Sequence, residues 1–323
     1  MAEEILYLSS AAVAEAAVAP NAVREACAEA YAAKARGAVL SVPKLGISVT
    51  PAHAFHAMPV ALPEAGLAAV KWVGIVPVRA GSDLPSISAL VVLSDLATGR
   101  TLAVMDGDWI TAARTAAMSA LAAQHLARGD SESIGFIGCG VQARSHLAAL
   151  RSVLPRLSRI RAYSRSEASA RALVETARGM GLAGETTRAP KDAVVGVDVI
   201  VTSVPAAPGF SAFLDPDWLA PGGFASAVDL GRTWFREGLA RLDHLATDNR
   251  QQSEAVGREG RLASAGPFAS DLADLASGSH PGRKHAQERI MFLFAGDALA
   301  DLAAARVLYE TALRRGLGLR LPR

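Results

Sequence analysis

From Ser133 to about Phe294, short apolar runs of strand length alternate with helical segments, and this alternation restricts the chain more than any other feature. The clearest strands are Ser133–Ile137, Ile160–Tyr163, Val197–Thr202 and Phe224–Val228. Repeats of strand, helix, strand predict an α/β fold with a doubly wound parallel sheet of Rossmann type. The first strand runs directly into Gly138-Cys139-Gly140-Val141-Gln142-Ala143, and a helix follows through Leu147 and Leu150. That is G-x-G-x-x-A in the strand-turn-helix context the motif requires. Gly138 permits the tight turn, Gly140 lets the backbone approach a pyrophosphate, and Ala143 lets the helix pack close to the strand. Free N–H groups at the helix start attract the anion. The expectation is dinucleotide binding at Gly138, Gly140, Val141, Gln142 and Ala143; the plain alternative is an ordinary strand-helix turn. Cys139 reads as a small filler.

The second strand ends at Tyr163 and continues Ser164-Arg165-Ser166. An NAD-specific site usually places a carboxylate at this strand end for the ribose 2′-OH, and such a group would repel a 2′-phosphate. None is present. Two hydroxyls flanking a guanidinium form a phosphate cradle, which favours NADP over NAD. Otherwise Ser164 or Ser166 caps the next helix and Arg165 is solvated.

The flanks differ in character. Helical spacing fills Ser10 to Arg36 with a break at Pro20, Leu40 to Val49 turns strand-like, and Leu67 to Met105 is mostly extended, closing in a hairpin through Asp95 and Gly99. Asp108 or Thr111 caps a helix reaching Leu126, and Ala295 to Leu317 is an Ala/Leu helix with Asp297, Asp301 and Arg306 at its polar positions. The 323 residues suffice for about two domains, and 51% hydrophobic content supports more than one core. Lys+Arg 33 against Asp+Glu 31, scattered along the chain, argues against nucleic-acid binding. No apolar run nears the ~18 residues that span a bilayer. The start at Met1 is acidic where a secretory signal is basic, and Cys27 and Cys139 match no metal or redox spacing. A cytoplasmic location follows as an expectation. His53, His56, His280 and His285 lack a third ligand at metal spacing, so no metal is expected.

Lysine is scarce, at Lys34, Lys44, Lys71, Lys191 and Lys284. Lys71 sits in the apolar strand Ala68-Ala-Val-Lys-Trp-Val73, where a charge is costly without a task or partner. Desolvation would lower its pKa and suit it to proton transfer; alternation alone equally allows it to face solvent. Arg114 is the only charge in Thr111-Ala-Ala-Arg-Thr-Ala-Ala117 and could fork onto a substrate carboxylate or simply reach solvent.

Met105-Asp106-Gly107, Ile110-Thr-Ala-Ala-Arg-Thr-Ala-Ala117 and Gly138-Cys-Gly-Val-Gln-Ala143, in this order and spacing, resemble the ornithine cyclodeaminase/mu-crystallin family. Lys71, Pro85-Ser86 and the ending Gly296 to Tyr309 fit the same template, so the resemblance covers nearly the whole chain. It implies a Rossmann domain, residues 116–294, inserted into a mixed α+β substrate-binding and dimerisation domain made of 1–115 and 295–323, with the active site in the cleft and a homodimer as the assembly. It implies an α-amino or α-imino acid substrate whose carboxylate meets Lys71 and Arg114, with Lys44 in place of a usual arginine. It puts Thr115, the Gly138 loop and Ser164-Arg165-Ser166 on the nucleotide; Thr202, Val204 and Val228 are further cofactor-contact candidates.

Departures shape the expected chemistry. The segment Ser226-Ala-Val-Asp-Leu-Gly231 has Gly at the position where cyclodeaminase-type members carry Asp, and Asp229 two residues earlier. Asp229 is read either as an acceptor for a protonated imine or as a residue that turns the chain at Gly231-Arg232. Phe294 stands where relatives often have Ser. The leading expectation is NAD(P)H-dependent reduction of a small α-imino acid to an L-amino acid, or the reverse, with Lys71 and Asp229 catalytic. Deaminating cyclisation of ornithine with recycled NAD, and non-catalytic binding of NADP and a small carboxylate, are the rivals.

Overall fold

In a computed structural model, the residues described are 4–50, 53–76, 84–207 and 209–323. Of the acidic start, Glu3 lies outside them and Glu4 opens the first strand. The chain divides into two compact units, Met1–Arg114 with Asp297–Arg323, and Thr115–Gly296.

The first unit opens with β1 (Glu4–Leu8), α1 (Ser10–Ala16) and α2 (Pro20–Ala35). Proline at the first position of α2 has the φ a helix start requires and no N–H to waste. Next come β2 (Leu40–Ser41), β3 (Leu45–Thr50), β4 (His53–Leu62), β5 (Leu67–Ile75), β6 (Ile87–Asp95), β7 (Thr101–Asp106) and α3 (Gly107–Leu126), whose residues up to Arg114 belong to this unit. The second unit carries β8 (Ser133–Ile137), α4 (Val141–Val153), β9 (Arg159–Tyr163), α5 (Glu167–Gly179), β10 (Ala183–Thr186), β11 (Val199–Thr202), β12 (Phe224–Ala227), β13 (His244–Thr247), α6 (Arg250–Arg258), β14 (Ser270–Asp271), α7 (Leu272–Ser277) and β15 (Ile290–Leu293). The chain then returns to the first unit with α8 (Ala298–Arg315) and β16 (Leu319–Pro322).

In the first unit the strands run β16-β1-β7-β6-β5-β4-β2, with β3 also pairing β4. Pairing is antiparallel except for β1 with β7, so this sheet is mixed. Alternation sends Met58, Val60, Ala69, Val73, Ala89, Val91, Leu93, Ala103 and Met105 to one buried face, covered by α8, which also packs on α2. The opposite face is open: Trp72 is 46% exposed, and its cross-strand neighbour Leu90 is exposed beside it. The sequence pattern missed β1 and β4. It also misplaced the cap of α3. Asp106 accepts from the Asp108 amide, while the Asp108 carboxylate receives the Ala89 amide at 2.8 Å and so ties the helix start to β6. Gly107 is required there, since a Cβ would fall 2.8 Å from the Ala89 backbone.

The second unit is the expected doubly wound sheet. Its eight strands run β10-β9-β8-β11-β12-β15-β13-β14, all parallel. The strands β8, β11, β12 and β15 are buried throughout, as strands covered on both faces must be. No described helix is long and apolar enough to cross a membrane.

Candidate functional site

In the first unit, three elements bring three charges together. Alternation along β5 puts Lys71 on the covered face, between Met58 and Val91 in register, and leaves it 1% exposed. Facing it is Asp301 of α8, 2% exposed. Lys71 Nζ donates to Asp301 Oδ1 at 2.7 Å, and Arg114 Nε of α3 lies 3.0 Å from the same oxygen. Oδ2 of Asp301 is buried with no hydrogen-bond partner among the described residues. Burial lowers the Lys71 pKa from 10.5 to about 7; the Arg114 charge and, least, the Lys44 charge push the same way, and Asp301 opposes them. Lys44 is half-buried just before β3. Lys71, Arg114 and Lys44 are thus gathered electrostatically, with one carboxylate among them.

Sequence reading placed Asp301 on a polar helix face, and the structure corrects this. Ala298 to Ala305 are all buried, so this helix is covered all round over two turns, and a carboxylate there needs a cation. The signal was the absence of an apolar stripe: a segment reading Ala-Leu-Ala-Asp-Leu-Ala-Ala-Ala has no face to give to water. Asp297 is likewise no surface residue. It caps α8 through the Leu299 amide and pairs with Lys34 at 2.8 Å. Arg306 pairs with Glu29.

In the second unit the turn after β8 has the geometry of a phosphate loop. Gly138 adopts φ +87°, and a Cβ there would meet the Ser203 carbonyl oxygen at 2.9 Å. Gly140 is the N-cap of α4, makes no side-chain cap bond, and has nothing within 4 Å of where a Cβ would lie. The first amides of α4, at Val141, Gln142 and Ala143, therefore face an uncrowded approach without a competing side-chain cap. The fully buried Ala143 lets the helix sit against the sheet. Cys139 is buried, its thiol pushed up to about 12 by burial, in keeping with a filler.

At the end of β9, Tyr163 is followed by Ser164-Arg165-Ser166, and the first carboxylate, Glu167 at the start of α5, pairs with Arg171 at 2.7 Å. Ser166 is the N-cap of α5, accepting from the Ser169 amide at 3.3 Å, and Ser164 accepts from the Ser166 amide at 3.3 Å. Both hydroxyls keep their O–H to donate. Arg165 is exposed.

The ends of β11 and β12 converge on Asp229. Its Oδ1 accepts from Thr202 Oγ1 at 3.0 Å and the Gly231 amide at 3.2 Å; its Oδ2 accepts from Thr233 Oγ1 at 3.0 Å and the Val204 amide at 3.4 Å. Four donors occupy both oxygens, which is the geometry of the chain-turning reading. Burial raises its pKa, against those hydrogen bonds and the Arg232 charge. Val228 donates its amide to the Thr202 carbonyl, and Ser203 donates its hydroxyl to the Gly138 carbonyl at 3.1 Å, so Thr202, Val204 and Val228 join the phosphate loop at the C-terminal strand edge. Ligands of parallel α/β sheets bind at that edge. Ser203 and Thr233 were not among the expected residues; nothing in their local pattern marks them. Thr115 begins this unit, about one turn after Thr111 in α3, and is buried. Phe294 stacks on Phe292 at 4.6 Å and is buried.

A second polar group backs the loop. His146 of α4 contacts the Gln142 carbonyl through Nδ1 at 2.7 Å and Ser119 Oγ through Nε2 at 2.9 Å, and Ser119 meets Ser226 Oγ at 2.8 Å. Burial lowers the His146 pKa to about 4, so the ring is neutral. It serves as a brace of the phosphate helix.

The parallel sheet, the glycine loop and the buried charge cluster define a Rossmann-type α/β protein with a second, cation-bearing unit assembled from both chain ends. The chain belongs to the ornithine cyclodeaminase/mu-crystallin family, whose model matches residues 4–316. Ketimine reductase mu-crystallin of Mus musculus is 32% identical over 236 residues, 72% of each chain. A solved archaeal alanine dehydrogenase dimer with bound NAD is 28% identical, covers 99% of both chains and superposes with a TM-score of 0.88. The Thermococcus litoralis Delta(1)-pyrroline-2-carboxylate reductase in complex with NADH and L-proline is 27% identical, covers 98% of this chain and 100% of that one, and has the same TM-score of 0.88.

Proposed function

We propose that this protein is an NAD(P)-dependent oxidoreductase that reduces a small α-imino acid to an L-amino acid or runs the reverse reaction. The observation that carries this reading is the buried Lys71–Asp301–Arg114 cluster, with Lys44 adding to its field. A carboxylate binds where cations outnumber anions in a desolvated place, and a lysine with a pKa near 7 can hold or release a proton at working pH. The neighbours just named support the chemistry, since they are a ketimine reductase, an alanine dehydrogenase holding NAD and a cyclic-imine reductase holding NADH and proline.

In this reading Arg114 and Lys44 hold the substrate carboxylate, and Lys71 binds it and steers the proton required at nitrogen. When bound, a nicotinamide would supply hydride to the imine carbon or take it from the α-carbon of the amino acid. The amides of Val141, Gln142 and Ala143 take the pyrophosphate, and Gly138 and Gly140 keep the approach clear. Ser164, Arg165 and Ser166, with no carboxylate at the strand end itself and Glu167 engaged by Arg171, suit a 2′-phosphate, so NADP is the proposed cofactor and NAD is accepted more weakly. Thr115, Thr202, Val204 and Val228 line the nucleotide path. Asp229, with both oxygens taken, is assigned to holding that strand edge in shape; its proposed catalytic part is indirect. The Gly at position 231 leaves deaminating cyclisation without its acid.

The substrate-binding unit is proposed as 1–115 with 295–323 and the dinucleotide-binding unit as 116–294. The active form is proposed to be a homodimer, joined through the open sheet face on which Trp72 and Leu90 are exposed side by side. The test is loss of NADPH and NADH absorbance against a panel of cyclic imines and of keto acids with ammonia or methylamine. Consumption with a cyclic imine supports the reading; nucleotide binding without turnover on any of them overturns it in favour of a carrier. Ammonia release from ornithine without net change in NADH would instead favour cyclisation.

A further inference from the structure

We propose that Asp301 is a positioning residue for this reduction, its Oδ1 gripping the Lys71 ammonium and the Arg114 guanidinium together so that both cations are presented to one substrate carboxylate. The proposal rests on the functional reading above and assigns a role to a residue outside the expected carboxylate contacts. Three elements distant in sequence meet at one oxygen: β5 through Lys71, α3 through Arg114 and α8 through Asp301. Lys71 Nζ at 2.7 Å and Arg114 Nε at 3.0 Å meet on the single oxygen Oδ1. Sharing fixes the two cations relative to each other, and leaves the cluster net positive toward an incoming acid.

The groups acting on Lys71 are few. They are Asp301 from α8, Arg114 from α3 and Lys44 from before β3, while its strand neighbours Met58 and Val91 carry no charge. Cys27 of α2 lies in the field of Arg114, Asp301, Arg24 and Arg306, and burial pushes its thiol up to about 12, so it stays neutral. Among the described residues Asp301 is therefore the anion that keeps the Lys71 proton in place against the Arg114 and Lys44 charges. Replacing it by a neutral amide lets Lys71 lose its proton at lower pH.

The experiment uses the full chain with Asp301→Asn, and Asp301→Ser should the amide variant fail to fold, alongside Asp301→Glu. Three quantities are followed from pH 5.5 to 10.5: kcat and KM for Δ1-pyrroline-2-carboxylate with NADPH, the Kd of the non-reducible pyrrole-2-carboxylate, and the melting temperature. The neutral variants are expected to raise KM and Kd tenfold or more, with kcat less affected, and to move the alkaline limb of kcat/KM down by a pH unit or more. The glutamate variant should recover KM to within about threefold. An unmoved limb, or affinities within twofold of wild type, would overturn the proposal. If wild type neither binds pyrrole-2-carboxylate nor reduces any imine, the functional reading has failed, and melting decides the Asp301–Lys71 coupling by itself. Folded Lys71 titrates near 7 against 10.5 unfolded, so the unfolded chain binds more protons between those values and stability rises with pH across that window. Onset of that rise at lower pH in the neutral variants sustains the coupling; an unchanged onset removes it.

Discussion

The ammonium of Lys71 donates to Oδ1 of Asp301 at 2.7 Å, closing a span of 230 positions in the chain between two buried side chains. Its neighbour Arg114 shares that oxygen; burial first, and the Arg114 charge second, bring the lysine pKa down to about 7 against the pull of Asp301. For a reductase that binds its acid through charged Lys71, kcat/KM falls as pH rises through about 7, because the neutral amine no longer attracts a carboxylate. Lys71→Ala should lower kcat/KM by about 100-fold or more at pH 6.5. Steady-state kinetics over pH 5.5–9 tests both; near-full activity in the variant would remove Lys71 from the mechanism.

The two loop glycines should fail in different ways. Gly138→Ala places a Cβ 2.9 Å from the Ser203 carbonyl in a left-handed backbone, a strain of about 1–3 kcal/mol, and lowers the melting temperature. Gly140→Ala meets nothing within 4 Å, so the apo-protein keeps its stability while the Kd for NADPH rises about tenfold or more. Calorimetry and nucleotide titration separate them, and equal nucleotide affinity in Gly140→Ala would argue against a pyrophosphate at that turn.

Cofactor choice turns on the exposed guanidinium after β9. Arg165→Ala is expected to raise KM for NADPH about tenfold and to leave KM for NADH within twofold. Ser164→Asp should reverse the preference, since a carboxylate there binds a ribose 2′-OH and repels a phosphate. A wild-type protein that prefers NADH would defeat this assignment at once.

Asp229 satisfies four donors within its own unit. Asp229→Ala strands them in a buried place, so the loss of stability should be severe, about 3–5 kcal/mol. Asp229→Asn keeps one acceptor and should fall between. An alanine variant with wild-type melting and selectively reduced kcat would return Asp229 to direct catalysis.

Assembly can be tested on the open sheet face. Trp72→Glu with Leu90→Asp puts charge at the middle of that surface and should convert a dimer into monomers by sedimentation. A variant that stays dimeric would place the interface elsewhere.

The strand-helix alternation and the G-x-G-x-x-A turn were legible because each is a local pattern with one stable solution: period two, period 3.6 and a glycine backbone are properties of adjacent residues. Thus the doubly wound sheet and the loop residues Gly138, Gly140 and Ala143 were readable from the chain alone, as were the strand carrying Lys71 and the oddity of a lysine within it. The strands β1 and β4 were not. β1 is five residues long, and β4 opens with His53, Ala54, Phe55, His56, which carries no clear apolar alternation.

The partner of Lys71 was decided only by folding. Alternation left the lysine free to face either side of its sheet, and α8, from the far end of the chain, settled the side by covering one face and supplying Asp301. The same holds for Asp229, whose donors come from the ends of two parallel strands, Thr202 and Val204 after one and Gly231 and Thr233 after the other. Backbone preference is written residue by residue, so sequence determined the elements. The energy of a buried charge depends on what stands within a few ångströms of it, and that distance exists only once the chain is packed.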